Sequence, residues 1–265
     1  MIMTKNNLTE ILFYKYQANG NDFILIEQEY DKNLFLLCNR HMSIGADGIL
    51  FVEVIDDSIN LRVMNADGSE AYNCGNGLRC VARWFFDNNI FYSSITIKLS
   101  GAYYVAKKLN NEILVTMNQC LVKKYREFEK PNFSYLAAFR ADIKNLHLIW
   151  IFDHKPDVEK YLKNIEIICK DFSLYNHSFV WVADEQVHSV VFERGVGFTK
   201  SCGSAAIASA CAWFSLNKKS TLQEIEICQP GGKIKVIAII DQNDKSVFTV
   251  MQIGDAKKSF YGFVK

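Results

Sequence analysis

Cys74-Gly75-Asn76-Gly77-Leu78-Arg79-Cys80-Val81-Ala82-Arg83-Trp84 is echoed later in the chain by Cys202-Gly203-Ser204-Ala205-Ala206-Ile207-Ala208-Ser209-Ala210-Cys211-Ala212-Trp213. Each stretch opens with Cys-Gly and a small polar residue. Each then runs into an apolar, alanine-bearing segment that ends at a Trp. A polar or glycine-rich turn before such a segment reads as a helix start. Each half of the chain is therefore expected to carry a cysteine at a helix N-terminus. Unpaired N–H groups there favour a thiolate and bind carboxylates. The two cysteines lie about half of the 265-residue chain apart, so the chain reads as two related halves.

Strand and turn signals surround both stretches in the same order. In the first half, Phe13–Gln17 and Phe23–Glu27 are aromatic and β-branched strands separated by an Asn19-Gly20 turn. A short helix is expected over Asp31–His41, and strands over Ile49–Val54 and Ile59–Met64. The helix from Cys74 to about Asp87 follows, then strands at Ile95–Leu99, Tyr103–Leu109 and Ile113–Met117. In the second half, Asn145-Leu146-His147 precedes the strand Leu148–Phe152, and Pro156–Lys170 reads as a surface helix. Strands at Phe179–Ala183 and Val187–Arg194 lead to Cys202 and a helix to about Leu216. Strands at Glu224–Gln229, Lys233–Ile240 and Val247–Ile253 close it, with Pro230-Gly231-Gly232 as a hairpin turn. The connection between the halves is expected near Gln119–Asn132.

Composition excludes several function classes. A formal charge of +1 gives no electrostatic basis for binding nucleic acid or a membrane surface. No apolar run reaches bilayer length, and Met1–Glu10 lacks the apolar core of a signal peptide, so the reading is a cytoplasmic protein. Eight cysteines include no Cys-x-x-Cys, which removes the strongest zinc signal, and no metal site is expected. The glycine-bracketed Ser43-Ile44-Gly45-Ala46-Asp47-Gly48 precedes a strand, the reverse of a phosphate-binding loop, so a nucleotide is excluded.

Two thiols flanking one carbon can invert it. One takes a proton as thiolate; the other, as thiol, gives one to the opposite face. An amino acid's α-proton is weakly acidic, so charge stabilisation must be aimed at the developing carbanion and its carboxylate. Backbone N–H groups at Gly75-Asn76 and Gly203-Ser204 are the candidates for that task. A free cysteine titrates at about 8.5, so each thiol needs a tuning partner; His147 and Glu193 are the candidates, one per cysteine. No PLP lysine or metal motif is visible. Taken singly, His147, the Glu193-Arg194 pair and Asn21, Asn65, Asn145 and Asn176 are ordinary strand-end or turn residues. Their clustering beside the two cysteine turns points to a site between the halves.

At these residues the chain resembles the diaminopimelate epimerase family. The matching stretches are Gly20-Asn21-Asp22-Phe23, Ile44-Gly45-Ala46-Asp47-Gly48, Asn65-Ala66-Asp67-Gly68-Ser69-Glu70, the Cys74 stretch, Glu193-Arg194-Gly195-Val196-Gly197, Cys202-Gly203 and Gln229-Pro230-Gly231-Gly232. They run in the family's order along almost the whole chain. The resemblance implies an α+β fold of two pseudo-symmetric domains, each a mixed or antiparallel sheet curled round a central helix. The domains would be residues 1–122, completed by a returning strand at 255–265, and residues 123–254. It implies a cofactor-free epimerase interconverting LL- and meso-2,6-diaminopimelate for lysine and peptidoglycan precursors. Cys74 and Cys202 would be the acid–base pair, with His147 and Glu193 as their polar partners. Asn21, Asn65, Asn145, Asn176, Glu193 and Arg194 would hold the substrate's amino and carboxylate groups. Gly75, Asn76, Gly203 and Ser204 would bind the carboxylate at the reacting centre. The resemblance also implies a homodimer.

Four positions depart from the family pattern: Leu146, Tyr175, Phe198 and Ala205, where Pro, Thr, Glu and Gly are usual. All lie in the second half, and they bear on substrate and rate rather than reaction type. Two alternatives to the epimerase stand beside it. One is a related cofactor-independent racemase acting on another amino acid, such as glutamate. The other is a relative that holds an amino acid without turnover, against which the presence of both cysteines argues.

Overall fold

The computed structural model describes residues 10–27, 31–126, 133–169, 171–217 and 220–264. Two helices, α1 (Gly75–Asn88) and α3 (Gly203–Leu216), sit inside a continuous 18-stranded mixed sheet. A third, α2 (Val158–Ile168), lies outside it and buries only Leu162 and Ile165. The expected span of α2 was longer at both ends; its last residue, Lys170, falls outside the described residues. α3 is buried without a break from Gly203 to Ala212, as a helix apolar around its whole circumference must be. α1 is buried almost as completely, and its lone cation on the inner side, Arg79, is 0% exposed.

The sheet closes round each helix. In the first ring, Ile11–Ala18 and Asn21–Ile26 form a hairpin, and Asn21–Ile26 runs parallel to Gly48–Ile55. Gly48–Ile55 pairs antiparallel with Ser58–Asn65, which runs parallel to Ser94–Leu99 beyond α1. Ala102–Leu109 and Glu112–Thr116 continue antiparallel. The second ring repeats this order: antiparallel Ala137–Asp142 and Leu146–Ile151, parallel Asn176–Ala183, antiparallel Gln186–Glu193, then parallel Leu222–Gln229 beyond α3. The two parallel crossovers therefore recur at equivalent places, which is the pseudo-symmetry expected of the halves. One stretch serves both rings. Val247–Asp255 pairs with Gly232–Ile240 and Cys120–Lys124 on the second ring and Glu112–Thr116 on the first; Lys257–Val264 then returns to Ile11–Ala18.

Some local expectations change in this context. The expected boundary at 122 falls inside the strand Cys120–Lys124, because that strand pairs with both Ala137–Asp142 and Val247–Asp255. Part of the expected connection, 127–132, falls outside the described residues. The expected helix over Asp31–His41 is a 3-10 helix, Lys32–Cys38. It stops early because the Leu37 and Cys38 carbonyls accept from Gly45 and Ala46 instead of continuing the helix. His147 does not precede its strand but lies within it, since Leu146–Ile151 pairs on both sides.

Two hairpin turns lock the halves together. Asn19 and Gly20 have φ of 53° and 79°, the backbone of a type I′ turn. The Pro230-Gly231 turn of the other half packs on it so closely that a Cβ at Gly231 would lie 2.0 Å from the Asn19 carbonyl oxygen. The Asn19 side chain donates to the Lys233 carbonyl at 3.1 Å, and its backbone N–H donates to Asp255 Oδ1 at 3.3 Å. Asn19 thus ties the first hairpin to the second half and to the shared strand.

Candidate active site

Cys74 and Cys202 are the N-caps of α1 and α3, both in extended backbone. The two helix N-termini meet. A Cβ at Gly203 would lie 3.4 Å from the Gly75 Cα and 2.8 Å from Gln252 Oε1, and one at Gly75 would lie 2.2 Å from Gln252 Nε2. Only glycine lets the two helix starts close on the Gln252 side chain between them. Residues far apart in the chain are thereby brought to one place.

The Gly77 N–H donates to Cys74 Sγ at 3.3 Å. Cys202 Sγ lies 3.3 Å from Ser204 Oγ and within electrostatic reach of Glu193. Ser204 Oγ is a junction, because Asn145 Nδ2 donates to it and His147 Nε2 bonds it, each at 3.1 Å. His147 therefore reaches Cys202 through Ser204 and contacts neither sulfur directly. The Glu193 carboxylate accepts from Thr199 Oγ1 at 2.5 Å. On the first half's rim, Asn76 Nδ2 donates to Asn21 Oδ1 at 3.3 Å and to the Ser201 carbonyl at 3.4 Å. Asn21 Nδ2 donates to Asp47 Oδ2 at 2.9 Å, and Asp47 is held by Arg40, which also grips Asp22. Asn65 is exposed on the same rim: it donates to Ser69 Oγ at 2.9 Å, and the next residue's N–H bonds the Asp47 carbonyl. On the second half, the Arg194 N–H donates to Asn176 Oδ1 at 2.8 Å, and the Arg194 side chain is exposed.

The four departures are accommodated differently. Leu146 opens a paired strand, so no rigid turn is needed to hold the fully buried His147. Ala205 is buried in the first turn of α3. Tyr175 is buried and packs edge-on against Tyr125 at 6.2 Å. Phe198 is 43% exposed beside Thr199 and meets Phe192 edge-on at 5.3 Å.

Comparison with known proteins agrees with this fold. Residues 13–120 match the family model for diaminopimelate epimerase. The diaminopimelate epimerase of Clostridium acetobutylicum is 36% identical, over 96% of this chain and 86% of that protein. The chain belongs to the diaminopimelate epimerase family. The diaminopimelate epimerase of Methanothermobacter thermautotrophicus is 28% identical over 96% of this chain and 98% of its own length. Among solved structures, a PhzF-family phenazine biosynthesis protein from Bacillus anthracis superposes with a TM-score of 0.76 at 14% identity, covering 97% of this chain and 100% of that one. A hydroxyproline epimerase from Agrobacterium vitis gives 0.68 at 12% identity, over 96% and 91%. These relatives and the shared fold make the chain an isomerase, an epimerase by class.

In this diaminopimelate epimerase family member, burial disfavours the thiolate at both cysteines. Burial pushes Cys74 up to about 11; the Gly77 N–H opposes this, and the charge on Glu193 adds to it. Burial pushes Cys202 well above the thiol range, with Glu193 adding to it. Burial also raises Glu193, against the hydrogen bond from Thr199. His147 falls to about 3, through burial first and the neighbouring His177 second, so it is a neutral imidazole.

Several residues of the site escape a reading by motif alone. Gln229 clamps Cys202: its Oε1 accepts from the Cys202 N–H and Ser201 Oγ, each at 3.0 Å, and its Nε2 donates to the Cys202 carbonyl at 3.3 Å. Gln252 is 0% exposed in mid-strand, donates to Met117 Sδ at 3.4 Å and leaves Oε1 unpartnered. A glutamine at an inward position of an alternating strand was the available signal for it. Asp47 and Thr199 lie inside family-like loops but carry no chemistry a motif would announce.

Proposed function

We propose that the protein interconverts LL- and meso-2,6-diaminopimelate by a two-cysteine acid–base mechanism, without pyridoxal phosphate, in lysine and peptidoglycan precursor synthesis. The observation that carries this reading is the meeting of two cysteine-capped helix N-termini at Gly75 and Gly203. The α-carbon would lie between the sulfurs. One sulfur, as thiolate, takes the α-proton; the other, as thiol, donates its proton to the opposite face. The net change is inversion at carbon and exchange of which sulfur is protonated. Glu193, within electrostatic reach of Cys202, is the carboxylate that can accept the thiol proton and generate the thiolate. The N–H groups of Gly75, Asn76, Gly203 and Ser204 take the carboxylate onto which the carbanion's charge spreads, each helix adding about half a positive charge. His147 and Asn145 act through Ser204, fixing its hydroxyl beside Cys202. Asn21, Asn65, Asn176 and Arg194 are the candidates for the distal amino-acid group, whose recognition needs dedicated donors and acceptors.

The deciding experiment incubates the reduced protein with LL-diaminopimelate in D2O and follows the α-proton signal by NMR. Loss of the signal with appearance of the meso isomer is expected. Exchange on glutamate or another single-centre amino acid, without exchange on diaminopimelate, would move the assignment to a racemase. Exchange on no amino acid would leave a binding protein.

The reading includes a cytoplasmic location and a homodimer. Eight cysteines, all free, suit a reducing compartment. Among the described residues no helix is long and apolar enough to cross a membrane. The strand Lys257–Val264 pairs on one edge only among the described residues and exposes Phe260, Tyr261 and Phe263, with Leu12 beside them. An open, aromatic edge of that kind invites pairing, and a second copy of the chain is the proposed cover. Sedimentation velocity should give twice the monomer mass at micromolar concentration. A Tyr261→Lys variant should shift it to monomer, and a monomeric parent protein would remove the homodimer from the reading.

A further inference from the structure

Arg79 has a placement that the fold alone does not explain. It is fully buried on α1, five residues after Cys74. Its Nη2 donates to Asn76 Oδ1 at 2.6 Å and Asn19 Oδ1 at 2.8 Å. Among the described residues its Nε and Nη1 have no hydrogen-bond partner and no carboxylate forms an ion pair with it. Nη1 rests against Gly254, where a Cβ would lie 1.9 Å away, so the shared strand is shaped to admit it. A buried cation without a counter-ion is costly. The side chain of a helical residue also leans toward the helix N-terminus, so this cation sits at the end where the helix dipole is already positive. Both penalties are relieved by negative charge arriving at the start of α1.

We infer that Arg79 is a positioning residue that turns the start of α1 into a preformed anion site, stabilising the Cys74 thiolate and orienting Asn76 toward the cleft. This inference deepens the two-thiol reading above and rests on it. The orientation follows from donor and acceptor roles. Because the guanidinium can only donate, it claims Asn76 Oδ1 and leaves Nδ2 to face Asn21 Oδ1 and the Ser201 carbonyl across the two halves. The electrostatic role follows from what surrounds each group. Cys74 is faced by the Arg79 cation from its own helix and the Glu193 carboxylate from the strand Gln186–Glu193. Arg79 is faced by Cys74 and Cys80 on α1, Asp255 on the shared strand and Glu112 on the first ring. Asp255 is already paired with Lys257 at 3.0 Å. Glu193 opposes thiolate formation at Cys74, and Arg79 is the cation set against it.

The test reads Cys74 directly and needs no substrate. The rate of iodoacetamide labelling at Cys74, followed by peptide mass spectrometry across pH, reports its thiolate fraction. Arg79→Gln keeps a donor for Asn76 but removes the charge; its labelling midpoint is expected about one pH unit above the parent's, with labelling at pH 8 slower by about tenfold. Arg79→Lys keeps the charge and is expected to label with a midpoint within about 0.3 unit of the parent. An unchanged profile in Arg79→Gln would overturn the inference. If that variant does not fold, Arg79→Lys carries the test, and a midpoint raised by about a full unit would overturn it. The outcome is separable from the reaction itself. Failure of the D2O exchange would sink the proposed chemistry and leave the labelling profile intact; an unchanged profile with exchange preserved would sink only the role of Arg79.

Discussion

Cys74→Ala and Cys202→Ala should each lower epimerisation by about 10²–10⁴-fold, the usual worth of a positioned acid or base. Loss of fold will not account for it. At Cys74 the side chain caps α1 by accepting the Gly77 N–H at 3.3 Å, and losing such a cap costs about 1 kcal/mol. At Cys202 the sulfur makes no cap bond, and the backbone stays clamped by Gln229. The double variant should be hardly slower than either single one, because two groups acting on one carbon fail together. The mechanism also predicts a split signature. A variant that keeps the thiol facing the α-proton can remove that proton and return deuterium to the same face, giving exchange without inversion. The variant lacking that thiol gives neither. Parallel NMR and chiral chromatography on LL-diaminopimelate in D2O would read both. Turnover within about threefold of the parent in either variant would end the two-thiol mechanism, since a tenfold change is only 1.4 kcal/mol of barrier.

Acid should destabilise the fold through two buried histidines, beginning near pH 6.5. His147 and His177 are fully buried, and burial lowers them to about 3 and about 4 from an ordinary 6.5. His177 is held by its Nε2–H to the Phe172 carbonyl at 3.0 Å and stacks on the Phe172 ring at 4.2 Å, leaving Nδ1 unpartnered. Both are therefore neutral in the fold and protonated in the unfolded chain below pH 6.5. The unfolded state then binds more protons, so stability is complete above about 6.5 and falls as pH drops toward the folded values. At pH 5 each histidine costs about 2 kcal/mol relative to pH 7.5, or about 4 kcal/mol together, at 1.36 kcal/mol per pH unit. Glu193 acts in the opposite sense, because burial raises it, and Asp22, held low by Arg40 and Lys15 despite burial, contributes only at lower pH. Urea unfolding at pH 7.5, 6 and 5 should show the loss, and His177→Gln should remove about half of its pH dependence. Equal stability at pH 7.5 and 5 would mean that the two imidazoles are not held neutral.

The repeated Cys-Gly turn and the apolar runs after it were sufficient to identify both core helices. A helix start is a local event: a small capping residue, a glycine turn and then an unbroken apolar segment. Strand alternation located most of the sheet for the same reason, and the Asn19-Gly20 and Pro230-Gly231 turns carry their own backbone chemistry. The strands Cys120–Lys124 and Ala137–Asp142 were harder to see. Each is short, and each is specified by partners elsewhere in the chain more than by its own pattern. The helix expected over Asp31–His41 shows the converse, because contacts from Gly45 and Ala46 claim the carbonyls that would have extended it.

By itself the sequence determined which groups are on offer: two cysteines at helix starts, glycines beside them, and polar residues at the neighbouring strand ends. Only the tertiary structure decided how they are joined. It brings Gly75 and Gly203 together across Gln252, routes His147 to Cys202 through Ser204, and sets Glu193 against Cys202 within electrostatic reach of Cys74. It also leaves Arg79 buried beneath Cys74 with no counter-ion among the described residues. Those facts depend on the closure of two rings through one shared strand. That closure is a property of long-range pairing, and no window of local sequence contains it.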